Sequence, residues 1–214
     1  MSVKISPSVL TADFLDLKND IEKLEKAGVD MLHLDVMDGI FVPNISFGVP
    51  VIKSIKKHST VPLDVHLMID RPHRYIKEFA EVADILGFHY EAGSDVAETL
   101  KEIKSYGVKT CLTIKPNTKA EEIFEFLPLC DMVLVMSVEP GFGGQSFMPS
   151  ALPKLEALKK ECERQGLNVD LEVDGGINGD TAELAVKAGA NVLVAGSYLF
   201  SDKMVENVAY LKSL

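Results

Sequence analysis

Two histidines and two aspartates stand at spacings that could bring them to one place: His33 and Asp35 in HLD, His66 in DVH and Asp174 in EVD. Residues i and i+2 of a strand point to the same side, so HLD would offer an imidazole and a carboxylate from one face. Each triplet lies in an alternating run. Leu32, Leu34 and Val36 alternate with His33, Asp35 and Met37; Leu63, Val65 and Leu67 with Asp64, His66 and Met68; Val169, Leu171 and Val173 with Asp170, Glu172 and Asp174. If the aliphatic sets pack against helices, the polar sets turn toward a common interior. Two imidazoles and two carboxylates are costly to bury unless something neutralises them. A single divalent cation would do so, and a mixed imidazole–carboxylate set suits Zn, Fe, Mn or Co better than Mg or Ca. A hydrogen-bonded polar layer without a metal is the other reading of the same pattern.

A second kind of chemistry is suggested by three glycine-bearing segments, each following an apolar run: Gly141-Phe142-Gly143-Gly144, Gly175-Gly176 and Gly196-Ser197. Glycine lets backbone N–H groups approach a ligand closely, and clustered N–H groups beside helix starts hold anions. Tight turns alone would also explain each segment taken singly. Neither G-x-x-x-x-G-K-[ST] nor G-x-G-x-x-G occurs, so nucleotide hydrolysis and dinucleotide binding have no support.

The elements that must position these groups follow from periodicity. Short β-branched runs near 3–8, 31–36, 62–68, 84–89, 108–114, 132–136, 169–173 and 191–195 predict strands. Helical spacing between them predicts helices near 13–27, 48–57, 73–82, 95–106, 119–126, 150–165, 180–188 and 202–212, with Gly28, Gly107, Gly166 and Gly189 at helix ends. Alternation of this kind implies a parallel sheet. Eight units exceed the five or six strands of a doubly wound open sheet and match an α/β fold of the (β/α)₈ barrel type, one domain over 1–214. In that fold the functional groups gather at the C-terminal ends of the strands, where His33, Asp35, His66 and Asp174 would lie.

Composition limits the partners. Of 214 residues, 47% are hydrophobic and 25% charged, as in ordinary globular proteins, and 22 Lys+Arg against 32 Asp+Glu give a net charge of -10. That balance lacks the basic footprint of a nucleic-acid or anionic-membrane binder, but leaves room for a small anion held by backbone N–H groups. The three cysteines, Cys111, Cys130 and Cys162, are odd in number and show no C-x-x-C spacing, which predicts free thiols in a reducing compartment. With no signal-peptide pattern and no apolar run of membrane-spanning length, the chain reads as cytoplasmic.

The chain closely resembles the ribulose-phosphate 3-epimerase family, essentially end to end. The likeness is carried by ISPSVLTADF at 5–14, HLDVMDGIFVPNISFG at 33–48, DVHLMI at 64–69, VMSVEPGFGGQSFMP at 135–149, EVDGGIN at 172–178 and AGSYLF at 195–200. It implies a (β/α)₈ barrel that interconverts D-ribulose 5-phosphate and D-xylulose 5-phosphate at one divalent metal ion. It implies His33, Asp35, His66 and Asp174 as metal ligands, with Asp35 and Asp174 as the catalytic acid/base pair. Ser8 and His66 would contact substrate. Gly141, Phe142, Gly143, Gly144, Gly175, Gly176, Gly196 and Ser197 would cradle its phosphate end. Met37, Met68 and Met136 match methionines that line the family's site, although spacing alone reads them as core fillers. Barrels of this kind commonly self-associate, so a homo-oligomer is expected.

Three positions depart from the usual family pattern: Ile40 replaces a frequent His, Gly87 interrupts the fourth strand, and Val49 follows FG. None is a metal or catalytic position. Of the other histidines, His58 and His73 read as solvated and His89 as structural.

The chemistry implied is loss of a proton beside a ketone and return of one to the opposite face, through a metal-stabilised ene-diolate. Allulose-6-phosphate 3-epimerase shares this chemistry on a six-carbon sugar; the double glycines Gly143-Gly144 and Gly175-Gly176 favour the pentose. Metal-independent phosphate-binding lyases on the same fold carry a D-x-K-x-x-D run, which this chain lacks.

Overall fold

The computed structural model describes residues 2–214 and contains eight strands: β1 (Lys4–Pro7), β2 (Leu32–Met37), β3 (Leu63–Met68), β4 (Ile85–His89), β5 (Lys109–Ile114), β6 (Met132–Met136), β7 (Asp170–Asp174) and β8 (Val192–Ala195). Every strand pairing is parallel, in the order β1-β8-β7-β6-β5-β4-β3-β2. The ring closes between β1 and β2 by a thinner seam. There an isolated Ser8–His33 bridge joins two hydrogen bonds to the Ile5 carbonyl, from the N–H groups of Asp30 and Met31 at 3.0 and 3.4 Å. The (β/α)₈ barrel expected from the alternation is therefore the fold.

Seven α-helices pack around the strands: α1 (Leu17–Ala27), α2 (Val49–Lys56), α3 (Ile76–Ala80), α4 (Val96–Ser105), α5 (Ala151–Gln165), α6 (Gly179–Ala188) and α7 (Met204–Lys212). Three helical expectations need correction. The helix expected over 13–27 begins only at Leu17, because Asp13 takes the Leu15 N–H on its side chain at 2.9 Å and holds the preceding residues in a turn. The stretch expected as a helix over 119–126 is a 3₁₀ helix running on to Leu129, Pro128 lying within it. The span 73–82 divides into a 3₁₀ turn at Pro72–Arg74 and the short α3, separated by Tyr75. The helix ends signalled by glycine are where α1, α4, α5 and α6 stop.

The side chains separate into two layers as alternation requires. Leu32, Leu34, Val36, Leu63, Val65, Leu67, Leu171 and Val173 are buried in a common core with helix residues such as Ile21, Leu24, Ile52, Leu155 and Leu158. A second cluster, among them Ile85, Cys111, Met132, Leu134, Met136 and Val192, fills the inside of the ring. Burying an aliphatic side chain of this size contributes about 1.5–3 kcal/mol, so the outer layer dominates the stability of the scaffold. Gly87 belongs to the inner layer. It pairs with His66 and Cys111, and a Cβ there would lie 3.1 Å from Cys111 Cβ, so its small size makes room for the thiol. Cys111, Cys130 and Cys162 are all buried and unpaired.

At the N-terminal end of the strands, ion pairs Lys4–Asp170 (2.6 Å), Lys212–Asp30 (2.9 Å) and Lys56–Asp84 tie strand starts together or to helices. Among the described residues no helix is long and apolar enough to cross a membrane.

Candidate active site

β2, β3 and β7 carry the four residues singled out by spacing to the C-terminal end of the ring. One ligand atom from each of His33, Asp35, His66 and Asp174 lies within 4.8 Å of the others. His33 Nε2 stands 3.3 Å from His66 Nδ1, 3.4 Å from Asp35 Oδ1 and 3.9 Å from Asp174 Oδ2, and His66 Nδ1 lies 3.3 Å from Asp35 Oδ1. The histidine side chains are sealed, at 0% and 1% exposure, whereas Asp174 keeps 18% of its side chain open. The rings thus form a floor and Asp174 faces what lies above it.

That space is a cavity of about 640 Å³, lined by Ser8, Asp35, Met37, Met68, Met136 and Asp174 and, toward the mouth, by residues of the three glycine segments. The three methionines line the site rather than merely filling the core, which spacing alone had not indicated. Ser8 donates its hydroxyl to Asp35 Oδ2 at 2.7 Å. Gly141, Phe142, Gly143, Gly144, Gly175, Gly176, Gly196 and Ser197 all reach the cavity wall. His66, expected also to touch substrate, belongs to the buried floor and is not among the residues lining the cavity. Ile40 is exposed at 76% and lies outside the lining. No Lys or Arg is among the lining residues. An anion here would rest on backbone N–H groups and hydroxyls. At the start of α6, Asn178 Oδ1 already accepts the N–H groups of Asp180 and Thr181, so those two are not free for that purpose.

The glycine cradle depends on close backbone approach. Gly176 adopts φ +64°, and a Cβ there would fall 2.3 Å from the Phe147 backbone nitrogen; a Cβ on Gly175 would fall 2.5 Å from Val138. A clash with backbone cannot be relieved by turning a side chain. Gly176→Ala is expected to lower Tm by roughly 5–10 °C, equivalent to about 2–3 kcal/mol at this chain length. A thermal melt checks it; an unchanged Tm would mean that the loop after β7 can move aside.

The electrostatics divide the two aspartates. Burial pushes the Asp174 carboxyl up, the Asp35 carboxylate adds to that, and His33 opposes it, leaving the pKa at about 7. Burial also raises Asp35, but the charge of His33 and a hydrogen bond from it outweigh that and hold Asp35 below the usual carboxylate range. Burial lowers His33, yet Asp35 and Asp64 overcome that and raise it well above an ordinary histidine. His66 is lowered, by burial first, with the positive charge of His33 acting in the same sense. Two carboxyl groups with pKa values pushed apart are the usual sign of paired acid/base work.

Residues without an assigned role in the sequence complete the surroundings. Asp64, on the inward face of β3, accepts from His33 Nδ1 at 2.6 Å and turns Nε2 toward the cluster. Glu172 is fully buried beside it, both carboxyl oxygens lacking a hydrogen-bond partner, and burial followed by the Asp64 charge raises its pKa well above normal. His89, expected to be structural, packs directly on His66, Nε2 to Nε2 at 2.9 Å. His58 and His73 are exposed, as expected.

The donor set fits a divalent cation. Four donors joined to one ion by bonds of about 2.0–2.1 Å in a tetrahedron would stand ~3.3 Å apart, and the cluster's separations of 3.3, 3.3, 3.4 and 3.9 Å are of that size.

Comparison with known proteins agrees with this architecture. The ribulose-phosphate 3 epimerase family profile matches residues 4–200. A ribulose-phosphate 3-epimerase of Bacillus subtilis (strain 168) is 46% identical over 202 residues, covering 94% of this chain and 93% of that enzyme. The ribulose-phosphate 3-epimerase, cytoplasmic isoform, of Oryza sativa subsp. japonica is 42% identical over 204 residues, covering 93% and 88%. Among solved structures, 3-keto-L-gulonate-6-phosphate decarboxylase from Vibrio cholerae O1 biovar El Tor superposes with a TM-score of 0.76 over 100% of this chain and 97% of its own. At 13% identity that likeness concerns the fold alone. By sequence over nearly its whole length, this chain belongs to the ribulose-phosphate 3-epimerase family and is an isomerase of the epimerase class.

Proposed function

We propose that the chain interconverts D-ribulose 5-phosphate and D-xylulose 5-phosphate by two-base proton transfer at C3. The observation that carries this reading is the meeting of His33, Asp35, His66 and Asp174 beneath a cavity whose mouth is a glycine cradle. His33, Asp35, His66 and Asp174 would hold one divalent cation, Zn, Fe, Mn or Co. A cation held there would supply positive charge to stabilise the negative charge that develops when a proton is removed beside a ketone. The chain's own residues do the rest. Asp35 reaches the cavity from β2 and Asp174 from β7, on different sides of the ring, so that a planar substrate between them meets one carboxyl group on each face. One takes the C3 proton, the other returns a proton from the opposite face, and the roles exchange in the reverse reaction. Ser8 holds Asp35 in place through its hydroxyl and borders the space for substrate. Gly141, Phe142, Gly143 and Gly144 with Gly175, Gly176, Gly196 and Ser197 receive the phosphate end, and Met37, Met68 and Met136 keep water from the reacting carbons.

The same reading includes a cytoplasmic setting, supported by three unpaired cysteines and by the rice relative's designation, and self-association, which light scattering would test.

The test of function is a coupled assay with D-ribulose 5-phosphate and D-allulose 6-phosphate, on metal-stripped protein and after adding back Zn²⁺, Fe²⁺, Mn²⁺ or Co²⁺. Metal-dependent turnover of the pentose is expected. Turnover without metal would overturn the ligand set, and preference for the hexose would overturn the substrate.

A further inference from the structure

We propose that His89 and Glu91 are positioning residues that lock His66 in the tautomer whose Nδ1 lone pair faces the cluster. The inference rests on the ligand role given to His66 above.

The chain of contacts can be solved from its far end. Glu91 lies in the turn just beyond β4, two residues from His89. Glu91 Oε1 accepts the Lys115 N–H at 2.8 Å and also the Thr118 hydroxyl. With two donors on one oxygen the carboxylate is held as an acceptor, and its Oε2 stands 3.3 Å from His89 Nδ1. That nitrogen must therefore carry the hydrogen. A neutral imidazole has one N–H and one lone pair, so His89 Nε2 is left as an acceptor. Facing it at 2.9 Å is His66 Nε2, which must then be the donor. The remaining His66 nitrogen, Nδ1, is bare, and it is the one 3.3 Å from both Asp35 Oδ1 and His33 Nε2. With both rings neutral, any other assignment along the His66–His89–Glu91 chain puts two N–H groups or two lone pairs face to face in a site closed to water, since both rings are buried at 0–1% exposure.

His33 and His66 are thus oriented by different means. His33 gives its distal N–H directly to a carboxylate, Asp64. His66 reaches its carboxylate through a second imidazole. The Phe41 ring, 4.8 Å from His89, covers the relay. Outer partners of this kind commonly govern metal affinity by about 10–100-fold.

The test uses His89→Phe, which keeps a ring but removes the acceptor, and His89→Gln, which can still accept from His66 and donate to Glu91. Nitrogen-15 NMR of the metal-free, unaltered protein should show His66 with its hydrogen on Nε2; a hydrogen on Nδ1 overturns the proposal before any variant is made. In competition titrations with Zn²⁺, His89→Phe should bind about 10–100-fold more weakly than the unaltered chain and His89→Gln within about 3-fold of it. His66 in His89→Phe should show both tautomers. If His89→Phe holds zinc as tightly as the unaltered chain, or His89→Gln is as weak as His89→Phe, the relay is not what orients His66. Failure of the unaltered chain to take up zinc would instead refute the ligand set, and the tautomer measurement would still decide the relay.

Discussion

Asp174→Asn is expected to keep the barrel and to lose epimerisation by about 10²–10⁴-fold, the usual contribution of a positioned acid or base. The carboxamide has nearly the same shape and sits at the edge of the floor, where Asp174 is the more open of the two carboxyl groups. Nothing in the core has to move. What the variant lacks is a group that can take up and release a proton. Asp35 remains, and a single base working on one face can remove a C3 proton and restore a solvent-derived one without inverting the centre. In D₂O, proton NMR should therefore record exchange at C3 for one of the two epimers while interconversion has stopped. Epimerisation at a near-normal rate would rule out two-base transfer. Loss of exchange for both epimers would mean that Asp174 acts mainly through the cation.

The second large effect concerns the floor. His66→Ala removes one of four clustered donors, His66 Nδ1, and strands the His89 ring without its partner. Zinc affinity should fall by more than the roughly 10–100-fold that loss of an outer partner costs, and activity should fall with it, recovering in part when metal is supplied in excess. Metal analysis after desalting, run beside the coupled assay, checks both. Full metal occupancy with activity lost would remove His66 from the ligand set and leave it a purely structural ring.

How far the sequence discloses this site depends on the kind of information each part needs. Strand alternation is local, so His33, Asp35, His66 and Asp174 could be assigned to one interior from triplets alone, and the same rule turned Asp64 and Glu172 inward. What alternation does not carry is which inward groups touch. The pairing of His33 with Asp64 depends on the register of β2 against β3, which places the two residues side by side. His89 is harder still. It comes from β4, whose register sets Gly87, not His89, beside His66. The misplaced start of α1 has a local cause. Phe14 and Leu15 fit a helical apolar pattern, but they are exposed at 50% and 99% and lie before the helix begins. The predicted span 13–27 took them into the helix, whereas the Asp13 side chain holds them in a turn before it.

The mouth without a basic side chain also sets how the enzyme meets its substrate. A doubly charged sugar phosphate approaches a protein of net charge -10 through an opening lined by Glu139, Asp35 and Asp174 and by no Lys or Arg. Long-range attraction, which speeds encounter in many anion-binding enzymes and fades with salt, gains nothing from the lining itself. On the proposed reading, added salt is expected not to lower kcat/KM, and a steep fall with salt would reveal a basic patch outside the lining. On the proposed reading recognition is postponed to the last few ångströms, where the backbone N–H groups of the glycine segments would tell a phosphate from other anions of the same charge.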